Sequence, residues 1–247
     1  MTKPYYAEGG ITIYHGDCRD ILPQLEPVDL VLTDPPFEQE AHTLQRRINR
    51  GKTRGGNADI ITAEPLPFSP ITDELRSDVS LLIGKLCKRW SLIFCQIEAV
   101  PKWRKCLEDA ELSYKRTCIW VKPDGMPQFS GDRPGMGYET ILAVHGPGRS
   151  KWNGGGRHGV FVVNKGENGG KKNPHPTTKP LALMATLVDL FSNSGETILD
   201  PFMGSGTTLV AARDLGRKAI GIEMEEKYCE IAVQRLRKNK DVLALGD

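Results

Sequence analysis

Short, continuous apolar runs recur along the chain and alternate with longer segments of helical periodicity. The runs 11–15 (ITIYH), 28–33 (VDLVLT), 91–96 (SLIFCQ), 116–121 (RTCIWV), 139–144 (ETILAV), 197–200 (TILD) and 218–222 (KAIGI) predict strands. Most lack apolar–polar alternation, which is how strands buried on both faces read. Segments 72–89, 100–110, 180–192, 206–215 and 225–239 predict helices. In 180–192, Leu183, Leu187, Leu190 and Phe191 share one face; Pro180 opens the segment and Ser194-Gly195 ends it. This alternation predicts an α/β fold with a doubly wound sheet of about seven mostly parallel strands. Ligands in such sheets bind beyond the carboxyl ends of the strands, so chemistry is sought there.

Composition narrows the class. The 247 residues are 39% hydrophobic and 26% charged, the balance of an ordinary globular chain with a sizeable core. No apolar run approaches the ~18 residues of a membrane span. The N-terminus (MTKPYY) has no apolar stretch behind its charge, so no signal peptide is expected. Cys18, Cys87, Cys95, Cys106, Cys118 and Cys229 form no C-x-x-C pair. Neither a structural zinc site nor a disulfide framework is expected, and a reducing, cytoplasmic compartment is.

Net charge is only +2, but it is unevenly placed. Residues 46–54 hold Arg46, Arg47, Arg50, Lys52 and Arg54 and no acid. Residues 146–174 hold Arg149, Lys151, Arg157, Lys165, Lys171 and Lys172 against Glu167 alone. The rest of the chain is therefore net acidic, a pattern that suits a polyanion gripped at one face. Two solvated loops would give the same pattern. The second segment is Gly-rich and interleaves Trp152, Asn153, His158 and Phe161, side chains able to stack on bases or read their edges.

Two strand ends carry candidate chemistry. The run TILD ends in Asp200 and is followed by PFMGSGTT. Gly204 and Gly206 permit a tight turn and close backbone approach to a ligand, which the next helix would meet with its free N–H groups. Glu223, nineteen residues after Gly204, tips the following strand, where an acid can hold both ribose hydroxyls. The third glycine of the dinucleotide fingerprint is replaced by Leu209, so a ribonucleoside without pyrophosphate fits better. At the other end, VDLVLT runs into Asp34-Pro35-Pro36-Phe37. The prolines withhold two N–H donors and stiffen the chain, leaving a rim of acceptors beside an aromatic face. Its complement is a planar group bearing an N–H₂. A plain strand-terminating turn is the alternative reading.

DPPF at 34–37 together with DPFMGSGTT at 200–208 resembles the amino-group DNA methyltransferases that use S-adenosylmethionine. YHGDCRDIL at 14–22 and HPTTKP at 175–180 are similar to further segments of that family. The order of motifs is similar to the family's β arrangement, and the resemblance extends over the whole chain. It implies a Rossmann-like methyltransferase sheet forming a single catalytic domain, with a catalytic half at 1–145 and a cofactor half at 175–247. Residues 146–174 would be a target-recognition insertion and 38–64 a mobile DNA-contacting loop.

The resemblance also implies roles. Asp34 and the Pro35 carbonyl would hold the target amino group, with Pro36 stiffening the turn and Phe37 stacking on the flipped base. Asp200, Phe202, Gly204, Ser205, Gly206 and Thr207 would shape the cofactor pocket, and Glu223 would hold the ribose. Asp17, with the Cys18 backbone beside it, would accept from the cofactor adenine. Thr178 and Lys179 would lie near the methionine carboxylate. Arg46, Arg47, Arg50, Lys52 and Arg54 are phosphate-contact candidates, as are Arg149, Lys151, Lys171 and Lys172. Trp152, Asn153, Arg157 and His158 are base-contact candidates. Asp34 favours N6 of adenine over N4 of cytosine, the alternative; a non-catalytic DNA-binding protein is a more distant one. The partner is double-stranded DNA, no metal is required, and so small a recognition region fits a homodimer.

Overall fold

The computed structural model describes residues 2–38, 70–125, 134–165 and 178–238, with 47–49 and 60–62 described by backbone alone. Its strands are β1 (Tyr6–Glu8), β2 (Ile11–His15), β3 (Val28–Thr33), β4 (Arg47–Asn49), β5 (Ile60–Thr62), β6 (Cys87–Cys95), β7 (Ser113–Val121), β8 (Tyr138–His145), β9 (Val160–Val162), β10 (Thr197–Asp200) and β11 (Lys218–Glu223). Its α-helices are α1 (Cys18–Ile21), α2 (Asp73–Leu86), α3 (Val100–Asp109), α4 (Leu181–Phe191), α5 (Thr207–Asp214) and α6 (Glu226–Arg237).

Nine strands form one sheet in the order β1-β2-β11-β10-β3-β6-β8-β7-β9. Only β1 and β8 run against the others. All seven expected strands are present, and the two additional ones, β1 and β9, are three-residue strands at the sheet's edges. Edge strands that short leave almost no periodic signal in a sequence. β4 and β5 form a separate antiparallel pair.

The helices divide between two cores. α4, α5 and α6 pack on one face, where Leu183, Leu187, Leu209, Ala211, Ala232 and Leu236 meet Ile13, Leu30 and Ile198. α1, α2 and α3 cover the other, where Ile21, Val79, Ile83 and Leu107 meet Val31, Ile93 and Leu142. The expected helix over 72–89 ends earlier. The Thr72 side chain caps α2 by accepting from Leu75 N at 3.0 Å, and the chain turns extended at Cys87. Residues 87–90 then join β6, pairing Cys87 with Val28 and Trp90 with both Leu30 and His145. Sheet pairing on both sides overrides local helical preference here.

Topology places the site. From β3 the chain crosses over α2 to β6 on one side; from β10 it crosses over α5 to β11 on the other. Since β3 and β10 are neighbours, the winding reverses between them, and the crevice at a doubly wound sheet's switch point opens beyond their carboxyl ends. Asp34 and Asp200 stand at those two ends.

The turn after β10 lies flush on β11. A Cβ at Gly221 would collide with Met203 Sδ and come within 2.8 Å of Leu209 Cδ2. Gly221→Ala should therefore lift the turn and destabilise the fold by about 1–3 kcal/mol, the usual cost of overpacking. Thermal unfolding checks this; an unchanged Tm would show that the turn is not in close contact with the strand.

Candidate active site and cofactor pocket

The Asp200 carboxylate joins the two strand ends. It is buried; Oδ1 accepts from Thr33 Oγ1 at 2.7 Å and from Phe202 N at 3.2 Å, and Oδ2 from Thr208 Oγ1 at 2.5 Å. Burial pushes its pKa up to about 6, against the pull of those hydrogen bonds. The family resemblance implies Asp200 in the pocket wall as a cofactor residue. Its side chain instead ties β3 to the first turn of α5, so its part is to hold the two motifs together.

Beyond it the chain turns through Phe202, Met203, Gly204 and Ser205. Gly206 is the residue before α5 and adopts φ +76°, with no side chain capping the helix. A Cβ at Gly206 would stand 2.8 Å from Ala232 Cβ, so both conformation and space require glycine. Ser205 and Thr207, candidate cofactor-pocket residues, are held from α6: Arg235 Nη1 donates to Ser205 O at 2.6 Å, to Ser205 Oγ at 3.0 Å and to Thr207 Oγ1 at 3.0 Å. Arg235 clamps the turn from behind, a role nothing in its local sequence marks.

Glu223 closes the other side. Its Oε2 accepts from Gly204 N at 3.0 Å and its Oε1 from Glu225 N at 2.9 Å. Each carboxylate oxygen has a second lone pair, so the group is aimed by backbone and can still accept from a diol. Burial raises its pKa, and the backbone donors pull it back. Gly16 N donates to Glu223 O at 2.9 Å, which sets Asp17 and Cys18 beside this strand end. Asp17, the candidate acceptor for the cofactor adenine, is held by its neighbour. Its two oxygens accept from Arg19 N at 2.8 Å, from Arg19 Nε at 3.2 Å on each oxygen, and from Arg19 Nη2 at 2.7 Å. Four acceptor sites are thereby filled. The bonds to Arg19 hold the carboxyl below its ordinary range, and Asp17 serves as the cap of α1. Cys18 follows it and is buried.

At the β3 end, Pro35 is buried, while Asp34, Pro36 and Phe37 are half-buried. Asp34 Oδ2 accepts from Lys179 Nζ at 2.5 Å. Its Oδ1 is buried and accepts no hydrogen bond. The expected place of Lys179 is beside the methionine carboxylate; it is bound to Asp34 instead. The ammonium also lies 3.2 Å from Glu139 Oε2, and 5.4 and 5.0 Å from the ring centroids of Phe37 and Phe94. Glu139 Oε1 accepts from Lys122 Nζ at 2.7 Å. Two acids and two cations thus form a charge-balanced chain. Burial raises the Asp34 carboxyl, Lys179 opposes it, and Glu139 adds to the rise. Burial would lower the Lys179 pKa, but Asp34 and Glu139 outweigh it and hold it above the ordinary lysine value. Thr178 Oγ1 lies 3.5 Å from Ser205 Oγ, so the segment leading into α4 touches both motifs. Sequence reasoning missed Glu139 and Lys122, which sit in ordinary strand-end contexts.

The chain after Phe37 is also fixed. Ile71 N donates to Phe37 O at 3.1 Å, and the buried Arg76 donates Nη2 to Glu38 Oε1 at 2.9 Å. Phe37 and Glu38 are thereby tied to Ile71 and Arg76 beside the site.

Of the Gly-rich segment, residues 146–165 are described. Trp152 packs on Phe191 and donates Nε1 to Gly155 O at 2.9 Å. Asn153 Nδ2 donates to Asp189 O and Ser192 O, both at 2.9 Å, capping the last turn of α4. Lys151 O accepts from Trp90 Nε1 at 2.9 Å. Phe191 and Trp90 mark the amino ends of the parallel strands, opposite the crevice. Trp152 and Asn153, the base-contact candidates, thus pack against and cap α4, and the neighbouring Arg149 and Lys151 are exposed at that end. Arg157 and His158 are exposed just before β9, on the far edge. Arg46, Arg50, Lys52, Arg54, Lys171 and Lys172 lie outside the described residues, and Arg47 is described by backbone alone in β4.

Among the described residues, no His, Cys, Asp and Glu cluster is arranged to hold a metal.

Comparison with known proteins matches this geometry. Residues 28–234 match the family model of the N6/N4 methyltransferases, described as DNA methylase. The Type II methyltransferase M2.LlaDCHI of Lactococcus lactis subsp. cremoris is 26% identical over 96% of this chain and 93% of its own. M.HinfI of Haemophilus influenzae is 27% identical over 93% of this chain and 69% of its own. The crystal structure of the M1.HpyAVI–SAM complex superposes with a TM-score of 0.71 at 27% identity, covering 92% of this chain and all of the other. The cytosine-N4-specific PvuII methyltransferase shares the fold, with a TM-score of 0.74 at 16% identity over 97% of this chain and 90% of its own. With one model spanning both motif-bearing strand ends, the chain belongs to the N6/N4 DNA methylase family.

Proposed function

We propose that this DNA methyltransferase transfers a methyl group from S-adenosylmethionine to N6 of adenine in double-stranded DNA, at a specific site. One observation carries the reading: a buried carboxylate oxygen, Asp34 Oδ1, stands without a donor at the switch point, next to Thr33, whose hydroxyl donates to Asp200 just before the Gly204–Gly206 turn. The pocket residues fit the cofactor. Gly221 keeps the turn close to β11 and Gly206 keeps it close to α6, and Glu223 presents aimed acceptors for a ribose.

S-adenosylmethionine supplies a sulfonium methyl already activated for transfer. The chain has to position the amino group. Asp34 Oδ1 accepts one amino hydrogen and the Pro35 carbonyl the other, which favours a pyramidal nitrogen with its lone pair localised. Positioning of this kind supplies most of the remaining acceleration. Asp34 need not be a strong base, because the amino proton becomes acidic only once the new bond forms. Phe37 stacks on the extruded base and offsets part of the few kcal/mol that flipping costs.

The DNA-facing charge belongs to the same proposal. It assigns phosphate contact first to Arg46, Arg47, Arg50, Lys52 and Arg54, because both flanks of their segment are anchored beside Asp34. Lys171 and Lys172 come next, between β9, which runs parallel to β7, and Thr178 at the site. A homodimer is included, supported by how little of the chain remains for recognition once the sheet has formed. So is a reducing, cytoplasmic setting, supported by six free thiols and by the lack of any described helix long and apolar enough to cross a membrane.

Asp34→Ala should abolish methyl transfer while cofactor binding survives; nucleoside analysis of DNA treated with the wild-type protein should find N6-methyladenine. Near-normal transfer by the variant, or N4-methylcytosine as product, would count against the assignment. Glu223→Ala should weaken cofactor binding roughly 10- to 100-fold in calorimetry, as expected when one or two charge-assisted hydrogen bonds are removed. Replacing Arg46, Arg47 and Arg50 together should flatten the salt dependence of DNA binding, the log–log slope falling by about 0.9 for each phosphate no longer neutralised. Replacing Arg149 and Lys151 should leave that slope unchanged.

A further inference from the structure

Lys179 is an odd neighbour for a catalytic acceptor. A lysine bonded to the carboxylate that must receive the substrate would be expected to compete with it. The geometry shows how competition is avoided. Lys179 takes Oδ2 only, and Oδ1 stays open. The Lys179 side chain is 8% exposed, its charge is shared with Glu139 at 3.2 Å, and its position is bounded by the rings of Phe37 and Phe94. Glu139 is in turn held by Lys122, itself only 7% exposed at the side chain.

We propose that Lys179 is a positioning residue that locks the Asp34 carboxylate in one rotamer and keeps it anionic, and that Glu139 and Lys122 hold that lock in place. The inference rests on the methyltransferase reading above and deepens it. Without a cation beside it, the largely enclosed Asp34 carboxyl would hold a proton more tightly, and a protonated acid would present a donor to an amino group that offers only donors. One oxygen fixed to Lys179 leaves the other fixed in direction, which is what an acceptor for one particular N–H requires. The contact of Lys179 with Phe37 makes the same ammonium a support for the stacking ring.

Other charged or titratable groups also face Asp34. Lys122 after β7 lowers its pKa and Glu139 on β8 raises it, while Asp34 itself raises the pKa of Asp200 on β10. The Cys95 thiol of β6, pushed up to about 12 by burial, stays neutral in the working range. The signs therefore separate the variants. Loss of the Lys179 charge raises the Asp34 pKa, whereas loss of the Glu139 charge lowers it.

The test uses the full chain, a double-stranded DNA substrate and S-adenosylmethionine, with kcat followed against pH and cofactor affinity read by calorimetry. Lys179→Met should lower kcat roughly 100-fold at neutral pH, the effect of displacing a reacting group by about 1 Å. The acid limb of its kcat profile should move up by about one pH unit or more, as loss of an adjacent opposite charge predicts. Its cofactor affinity should stay within about threefold of wild type, a change of under 1 kcal/mol. Lys179→Arg should restore the limb, since it restores the charge. Glu139→Gln should lower kcat by loosening the lock but move the limb down, and Lys122→Met should move it slightly up. If Lys179→Met fails to fold, the opposite shifts of the Glu139 and Lys122 variants still decide. Unmoved limbs in all variants, or a Lys179→Met defect confined to cofactor affinity, would overturn the proposal while leaving the methyltransferase reading intact. An inactive wild-type protein would overturn that reading instead, and the lock with it.

Discussion

The site depends on one buried carboxylate. Asp200 accepts from a threonine that ends β3 and from a threonine in the first turn of α5, so a single side chain fixes the distance between the acceptor rim and the cofactor turn. Neither motif could do this alone, because each is a turn at the end of a separate strand. The cost is visible in the pKa of about 6, which burial raises above the usual aspartate range. The folded chain binds this proton more tightly than the unfolded chain. Through this group, stability therefore falls as pH rises from about 4 to about 6 and stays lower above that. The hydroxyl donors limit the penalty, and the same bonds give the alignment.

Much of this is legible in the sequence because it is local. Strands β3, β10 and β11 are continuous apolar runs, and the residues following them carry the turns and acids that a ligand at the carboxyl ends would need. The glycines at 204 and 206 and the acid at 223 are readable by spacing, and Glu223 indeed contacts the Gly204 backbone. What is not legible is long-range. Lys179 and Asp34 are 145 residues apart, and Arg235 and Ser205 meet only because α6 packs beside the Gly-rich turn. A polar residue carries no sign in its own neighbourhood of which distant partner will neutralise it. Asp17 shows the converse: its partner Arg19 is local, two residues on.

The Gly-rich loop teaches a related point about composition. Trp152 and Asn153 look like base readers because the residues around them are basic and flexible in type. Their side chains instead finish α4, one against Phe191 and the other on its terminal carbonyls. A helix leaves its last carbonyls unpaired, and an amide donor meets that need as readily as it reads a base edge. Composition cannot distinguish the two uses, but position relative to the strand ends can.

That same positional argument bears on how DNA can sit. An extruded base must reach Asp34 from beyond the carboxyl ends of β3 and β10, so the duplex has to lie across that end of the sheet. Positive charge at the amino ends, where Arg149 and Lys151 project, then lies a strand length or more away, over ~15 Å for a six-residue strand. At that separation it acts through more than one Debye length of salt solution, which is about 8 Å at physiological ionic strength. The charge that matters must arise from segments whose ends are fixed at the crevice. Glu38 and Ile71 anchor one such segment, through Arg76 and Phe37. The Arg76–Glu38 pair and the Ile71–Phe37 hydrogen bond thereby hold both ends of that segment beside the acceptor rim, which is why the proposal assigns it phosphate contact.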